Sequence, residues 1–586
     1  MLGVHRAIMT RAETQHQLGN TLRRQGRAAE ALAHLETAAR LESSNPTILL
    51  NLGVTHLDLN QPACAAEVFS RAVSLVPAMP EARNILGCAL LGEGRIGDAR
   101  THLEEALRLR PNYPAAHDNL GRACRAQGRI TEALAHFQSA LAGNPSPGTH
   151  ANYLLAGNYA DDLAPAELVD RHRRWDELHA RRHRPRRRPP LPPLHRRRVR
   201  IGYVSPDFRQ HSVAFFFAPV LAAHDRAQFE VFCYDNGVAA DTVTARLRGQ
   251  AEHWRGIAAL DDEAAAALVR QDGIDILVDL AGHTARNRLL VFARQPAPVQ
   301  VTWLGYPNTT GMTAMDYRIT DGVCLPAEED SKELGGGQSV PLRTEAAGLD
   351  ARVSGSDSRH GPEALVRLPE VFCCYQPPPD CPPVRALPKA GGRPFTFCSF
   401  NNLAKVSPGT VAVWAAILDR HPGSRLLLKS PGAGDPETQA AVRARFAGRD
   451  IAPERLHFNG EPLPMRRHLE LYQECDIALD PFPYNGTTTT CEALLMGVPV
   501  ITLAGRSHAS RVGASFLASL GLPELVASNP AEYAGAAARL AADPARLAAL
   551  RASLRPRLLD SPLGQADRVT RNLESALLDL CRLPAS

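Results

Sequence analysis

The 586-residue sequence contains no apolar run approaching the ~18 residues that cross a bilayer, which argues against a membrane-spanning helix. Its opening, MLGVHRAIMTRAETQHQLGN, places charge and glutamine where a secretory leader needs an unbroken apolar core, so a cytoplasmic protein is expected. The twelve cysteines form no C-x-x-C pair and no spacing typical of a zinc site or a disulfide framework; reduced, mostly buried thiols are expected. Acid is missing from residues 181–200, RRHRPRRRPPLPPLHRRRVR, which hold ten arginines and leave the rest of a chain of net charge +5 negative. That block also lacks interleaved aromatics and is spaced by proline. A solvated, extended hinge is the expectation, an anionic partner the alternative, and nucleic acid is disfavoured.

What is present is length and periodicity. At ~150 residues per domain the chain should hold three or four units. A 34-residue period runs over residues 13–148, with Leu-Gly recurring at Leu18-Gly19, Leu52-Gly53, Leu86-Gly87 and Leu120-Gly121. Ala31, Ala65, Ala99 and Ala133 share a column, as do Gly26, Gly94 and Gly128 with Asn60 in their register. Glycine in the first helix permits close packing, Gly or Asn at the turn accepts φ > 0, and alanine suits a tight crossing. Pro46, Pro80 and Pro114 are read as ending the second helix of the first three units. This is the tetratricopeptide pattern, and residues 1–150 should stack into a short superhelix whose concave groove suits an extended peptide.

Residues 151–198 read as a connecting amphipathic helix, AELVDRHRRWDELHARRH, and the basic Pro-rich linker. From Val199 onward strands and helices alternate, as parallel α/β sheets require. RVRIGYVSPDF, FEVFCYDNG and DGIDILVDLAGHT supply strands of a first lobe over 199–390. PFTFCSFNNLAK, SRLLLKSP, RLHFNG, DIALDPF and VPVITLAG supply those of a second over 391–586. A Gly/Ser/charge-rich insertion at about 326–363 is expected to be mobile.

Parallel sheets bind ligands beyond the carboxyl ends of their strands. DIALDPF leads through Tyr484-Asn485-Gly486 into Thr487–Thr490, so the next helix begins with four hydroxyls, free backbone N–H groups and the positive end of its dipole, a combination suited to phosphate. Lys405 closes another strand end and is placed to neutralise a diphosphate. His468 lies on the helix MRRHLELYQEC, where an imidazole can stack on a base or simply face solvent. His211 in DFRQHS and His283 in LAGHT each follow a first-lobe strand end and are candidates for proton transfer. QVTWLGYPNTTG lines the cleft floor or packs between domains. No Asp-x-Asp occurs, the pair with which many sugar-nucleotide enzymes hold a divalent ion, so no metal site is expected.

With these segments assembled, the chain resembles the tetratricopeptide-containing O-linked N-acetylglucosamine transferase family, glycosyltransferase family 41, with Spindly-like features. The resemblance is carried by IGYVSPDFRQHSV, DILVDLAGHTARNRLLVFARQPAPVQVTWLGYPNTTG, MDYRITD, LPEVFCCYQPP, FCSFNNLAKVSP, DPFPYNGTTTTCEALLMGVPVITLAG and SRVGAS. It implies a GT-B fold after the helical repeats and inverting, metal-independent sugar transfer from UDP-GlcNAc to protein Ser/Thr hydroxyls, with no cofactor. By position it implies active-site roles for His211 and His283, without settling which assists proton transfer, and a diphosphate contact for Lys405. It further implies nucleotide contacts for Asn402 and His468, phosphate contacts for Thr488 and Thr489 beside the Thr487 already expected there from the helix start, and a ribose contact for Glu492, where animal enzymes carry aspartate. TTTTCEAL follows the Spindly-like spelling, so GDP-fucose is the alternative donor. A non-catalytic repeat scaffold is the rival reading. Protein acceptors bound by the repeats and a nucleotide sugar are the expected partners, with no membrane involved.

Overall fold

The computed structural model describes residues 10–193, 197–326, 352–356, 360–387 and 393–582. Most of the expected insertion at 326–363 therefore lies outside the described residues. The chain divides into two compact units: residues 1–149 with 435–438, and residues 150–434 with 439–586.

In the repeat unit, Arg11–Arg24, Pro46–Asp58, Pro80–Gly92 and Pro114–Ala126 each pair with the helix that follows, Ala28–Leu41, Pro62–Leu75, Ile96–Leu109 and Ile130–Gly143. The Leu-Gly column has a steric cause. A Cβ at Gly19, Gly53, Gly87 or Gly121 would lie 2.4–2.7 Å from Leu35, Phe69, Leu103 or Phe137, the side chain sixteen residues later. The turn column has a conformational one: Gly26, Gly94 and Gly128 sit at φ 74–77° and Asn60 at 59°. Ala31, Ala65, Ala99 and Ala133 are fully buried. The prolines are the correction. The second helices end at Leu41, Leu75 and Leu109, and Pro46, Pro80 and Pro114 occupy the first turn of the next helix, where a missing N–H costs nothing.

The second unit holds two sheets. The first contains β1 (Val199–Ser205), β2 (Phe229–Asp235), β3 (His253–Gly256), β4 (Ile276–Asp279), β5 (Val299–Thr302), β6 (Tyr317–Asp321), β7 (Arg352–Ser356) and β8 (Ala364–Leu368). Their order is β3-β2-β1-β4-β5-β6-β8-β7, all parallel except β7, which runs antiparallel to β8 inside the span expected as a mobile insertion. The second contains β9 (Thr396–Ser399), β10 (Arg425–Lys429), β11 (Leu456–Asn459), β12 (Ile477–Leu479), β13 (Val500–Leu503) and β14 (Val526–Ala527), ordered β11-β10-β9-β12-β13-β14 and parallel throughout. The strands β1, β4, β5, β9, β12 and β13 are buried almost throughout, as parallel strands covered on both faces require.

Residues beyond the last repeat do not form a free connector. The Pro165–Trp175 helix, prolonged by a π turn over Asp176–Ala180, buries Leu168, Val169, His172, Trp175 and His179 within the second unit. Part of the arginine block that follows is tied down as a strap, while Arg182, Arg184, Arg186 and Arg187 stay exposed. Arg188 grips Asp316 in a two-point contact at 2.7 and 2.5 Å, and Arg197 grips Asp275 at 2.7 Å twice. Arg198 reaches Glu252 at 2.7 Å and Arg200 reaches Glu230 at 3.0 Å. The acids that pair with Arg188, Arg197, Arg198 and Arg200 lie in the first sheet and at its edges, and Arg181 pairs with Asp176 just before it. The C-terminal helix Ala566–Leu580 also returns to this lobe: Glu574 accepts hydrogen bonds from His224 Nδ1 and the Asp225 N–H, both at 2.8 Å.

Among the described residues, no helix is long and apolar enough to cross a membrane.

Candidate active site

At the carboxyl end of β12 the chain reaches Asp480, whose carboxylate accepts from the Gly486 N–H at 2.6 Å and from Thr502 Oγ1 on β13 at 2.7 Å. These bonds fix the turn that delivers Thr487–Thr490. Thr487 is the N-cap of the Thr488–Leu495 helix but makes no side-chain cap bond among the described residues. Thr488 Oγ1 is buried and has no hydrogen-bond partner among them either. Thr489 Oγ1 donates to Asn401 Oδ1 at 3.0 Å. One end of a helix thus presents its N-terminal amides together with an unpartnered buried hydroxyl, which is costly unless an acceptor arrives.

Lys405 faces the same turn from the end of the segment that follows β9. Its Nζ donates to the Asn485 carbonyl at 2.8 Å, lies 3.5 Å from Asn401 Oδ1 and sits 4.5 Å from the centre of the Tyr484 ring. Burial draws this ammonium down to about 8, and the nearby Asp480 carboxylate opposes the shift. The same burial pushes Asp480 upward, with its hydrogen bonds and Lys405 pulling the other way. A cation held in partly desolvated surroundings beside a helix N-terminus binds a multivalent anion more strongly than the same groups in water.

His468 and Glu492 come together. His468 Nε2 donates to Glu492 Oε2 at 2.9 Å, and Tyr472 OH lies 3.4 Å from the same oxygen. Phe400, whose ring centre is 4.1 Å from that of Tyr472, completes an aromatic wall. Lys405, Thr487, Thr488, Thr489, His468 and Glu492 therefore share one edge of the second sheet. Asn402 stands apart from their contacts: it is exposed and its Oδ1 caps the short turn before Lys405 by accepting from the Ala404 N–H at 2.9 Å. Its neighbour Asn401, buried and bonded to Thr489, is the asparagine that faces the helix start.

The two first-lobe histidines differ. His211 caps the Ser212–Ala223 helix by accepting from the Val213 N–H on Nδ1 at 3.3 Å, stands 3.6 Å from an Asp207 carboxylate oxygen, and leaves 39% of its side chain exposed. Burial of the rest lowers its pKa from the ordinary imidazole value, against the pull of Asp207. His283 is 1% exposed and donates from Nε2 to the Thr310 carbonyl at 2.8 Å. Trp175 at 4.8 Å, His172 at 5.2 Å and Tyr306 at 5.5 Å surround its ring. Burial holds it neutral well below the ordinary range. Its surroundings are thus aromatic side chains rather than the open cleft expected from its strand-end position, because the helix over Pro165–Trp175 covers the strand end.

Sequence reasoning passed over Asp480, Asn401, Tyr484 and Lys429. The last ends β10, where burial lowers its pKa and Glu492 opposes the shift. A compositional signal was available: the chain has only four lysines among 66 basic residues, and two of them, Lys405 and Lys429, stand at strand ends of this sheet.

Comparison with known proteins shows the family to which the fold belongs. The Glycosyl transferase family 41 profile matches residues 179–333 and 387–573, and a tetratricopeptide repeat profile matches 16–80 and 86–147. A Hordeum vulgare SPINDLY protein, named a probable UDP-N-acetylglucosamine–peptide N-acetylglucosaminyltransferase, is 41% identical over 72% of this chain and 42% of its own length. The Arabidopsis thaliana protein SEC, with the same probable activity in its name, is 33% identical over 67% of this chain and 38% of its own. The chain thus spans less than half the length of these curated relatives. The solved structure of a Thermobaculum terrenum O-GlcNAc transferase mutant is 36% identical, with a TM-score of 0.82 over 92% of this chain and 97% of that one. The helical repeats followed by two parallel α/β sheets are the GT-B arrangement of that structure, and the chain belongs to glycosyltransferase family 41.

Proposed function

We propose that the protein transfers N-acetylglucosamine from UDP-GlcNAc to Ser or Thr hydroxyls of proteins, with inversion and without a metal. The observation that carries this reading is that Lys405 and the Thr488 helix start meet at Asn401, where a buried hydroxyl has no partner among the described residues and the ammonium is partly desolvated. The acceptor oxygen attacks the anomeric carbon, the bond from that carbon to the diphosphate breaks, and the acceptor proton passes to a base. Lys405, the Thr488 hydroxyl and the helix amides meet the charge that grows on the leaving diphosphate. His468 and Glu492, with the aromatic wall of Phe400 and Tyr472, take the base and the ribose. Asn402 caps the turn that carries Lys405, and Asn401 holds Thr489.

For the proton, what supports His211 is its exposed ring and the carboxylate of Asp207 behind it. What supports a positioning part for His283 is its bond to Thr310, in a loop that Glu363 clamps through the Thr310 N–H and Oγ1, both at 2.6 Å. The repeats present the protein acceptor. A cytoplasmic setting is part of this reading, on twelve cysteines that are all free thiols.

A second donor, GDP-fucose, rests on the Spindly-like spelling TTTTCEAL at the helix start; the SPINDLY relatives, at 38–41% identity, are themselves named for probable transfer from UDP-N-acetylglucosamine. Titration and turnover with UDP-GlcNAc, UDP-glucose and GDP-fucose decide between them. Turnover with UDP-GlcNAc is expected; turnover with GDP-fucose alone moves the assignment, and binding of none of the three removes it.

A further inference from the structure

The segment Asn158–Asp161 lies between the Pro147–Gly157 and Pro165–Trp175 helices, some 240 residues before Lys405, and carries none of the motifs that mark the donor site. Its side chains nevertheless reach both lobes. Asn158 donates to Tyr306 OH at 2.8 Å and accepts from Asn308 Nδ2 at 2.8 Å, which ties it to the first lobe. Tyr306 OH in turn donates to His172 Nε2 at 2.7 Å, whose Nδ1–H goes to the Leu168 carbonyl at 2.6 Å, so the anchor is a fully hydrogen-bonded buried relay. One residue on, the Tyr159 ring lies 5.0 Å from that of Tyr484 in the second lobe. Two residues further, Asp161 Oδ2 accepts from the Gly409 N–H at 2.7 Å, at the start of the helix that begins three residues after Lys405.

Tyr484 is therefore held between two neighbours, Tyr159 and the Lys405 ammonium 4.5 Å from its ring centre. A lysine side chain has four rotatable bonds, and its Nζ is held here by one backbone carbonyl, one long contact to Asn401 and the ring. The ring holds Nζ only if it is itself held. Tyr159 supplies that support, and Asp161 pins the backbone on the other side of the lysine. We propose that Tyr159 and Asp161 are positioning residues for Lys405, so that the donor site of the second lobe is set by a segment anchored in the first. The proposal rests on Lys405 being the group that meets the diphosphate.

The test uses the full chain and UDP as probe. Tyr159→Leu removes the ring, Tyr159→Met puts a flexible unbranched chain in its place, and Tyr159→Phe keeps the ring. Calorimetric affinity for UDP is expected to fall about tenfold in the first two and to stay within about twofold of wild type in the third. The pH dependence of binding gives a readout that general destabilisation does not move. Lys405 is faced by the Asp480 carboxylate and the Tyr484 ring; once the ring is loosened, water reaches the ammonium and the alkaline loss of UDP binding shifts upward from near pH 8 in Leu and Met but not in Phe. Wild-type affinity and an unshifted pH midpoint in Tyr159→Leu or Tyr159→Met overturn the proposal and leave the donor site standing. Failure of the wild-type protein to bind UDP removes that site and the proposal with it.

Discussion

The two sheets end in the same device and use it differently. At the end of β4, Asp279 accepts from the N–H groups of Ala281 and Gly282 at 3.1 and 2.9 Å and from Thr302 Oγ1 on β5 at 2.9 Å. At the end of β12, Asp480 accepts from the Gly486 N–H at 2.6 Å and from Thr502 Oγ1 on β13 at 2.7 Å. Each is a buried carboxylate that knits a strand end to the turn beyond it and to a threonine on the next strand. Burial raises both, Asp279 to about 6 and Asp480 to about 7, against the pull of those bonds. What differs is the far side of the turn. The first delivers His283 into an aromatic enclosure, with Nε2 paired to a carbonyl. The second delivers a helix start, with a threonine hydroxyl that has no partner among the described residues, to the same sheet edge as a partly desolvated lysine. The shared scaffold gives precision in both places; the first leaves one imidazole nitrogen, His283 Nδ1, buried without a partner among the described residues, whereas the second leaves a threonine hydroxyl at a helix start on the same sheet edge as an ammonium.

The comparison breaks most sharply at Lys405. Lys405→Ala is expected to cut transfer by ~10²–10³ through loss of charge stabilisation on the leaving group, read as kcat/KM. His211→Ala should lower kcat by ~10² or more while UDP affinity holds, as removal of a general base does. His283→Ala should instead show first in thermal unfolding, costing about 2 kcal/mol or more for a buried ring whose neighbours are fixed.

The threonines sharpen the contrast at constant shape. Thr488→Val removes a hydroxyl with no partner among the described residues, so stability should be unchanged or higher while UDP affinity falls by ~10-fold. Thr502→Val strips a donor from buried Asp480 and should cost ~1–3 kcal/mol in denaturant unfolding.

The pH profile follows from the two titrating groups. Transfer needs His211 neutral and Lys405 charged. His211 is lowered, so activity should persist somewhat below pH 6.5 before its acid limb; Lys405 at about 8 places the alkaline limb there, well below the ordinary lysine range. The smallest effect on the site comes from Gly121→Ala, whose Cβ would meet Phe137 at 2.7 Å. It should destabilise the repeat unit by ~1–3 kcal/mol and leave UDP affinity unchanged.

What the sequence revealed was local. A glycine beside a residue sixteen positions on, a left-handed turn and a threonine run at a strand end are each decided within a few turns of chain, and they could be read from spacing. Pro46, Pro80 and Pro114 were misread because proline fits the first turn of a helix as well as it follows the end of one. The covering of His283 by the Pro165–Trp175 helix, the neutralisation of the arginine strap by Asp275 and Asp316, and the return of the C-terminal helix to the first lobe depend on pairings across 78 to 350 residues. Periodicity carries no record of these. Asn402 came from the resemblance; adjacent residues at a strand end point to opposite sides, and only the tertiary fold tells that Asn401 is the one facing the helix start.

Calorimetric titration of UDP into the wild-type protein, Thr488→Val and Lys405→Ala tests the central claim most directly. The account predicts one site per chain, about tenfold weaker binding in Thr488→Val at undiminished thermal stability, and a larger loss in Lys405→Ala. Equal affinity in all three proteins, or no binding by the wild type, would contradict it.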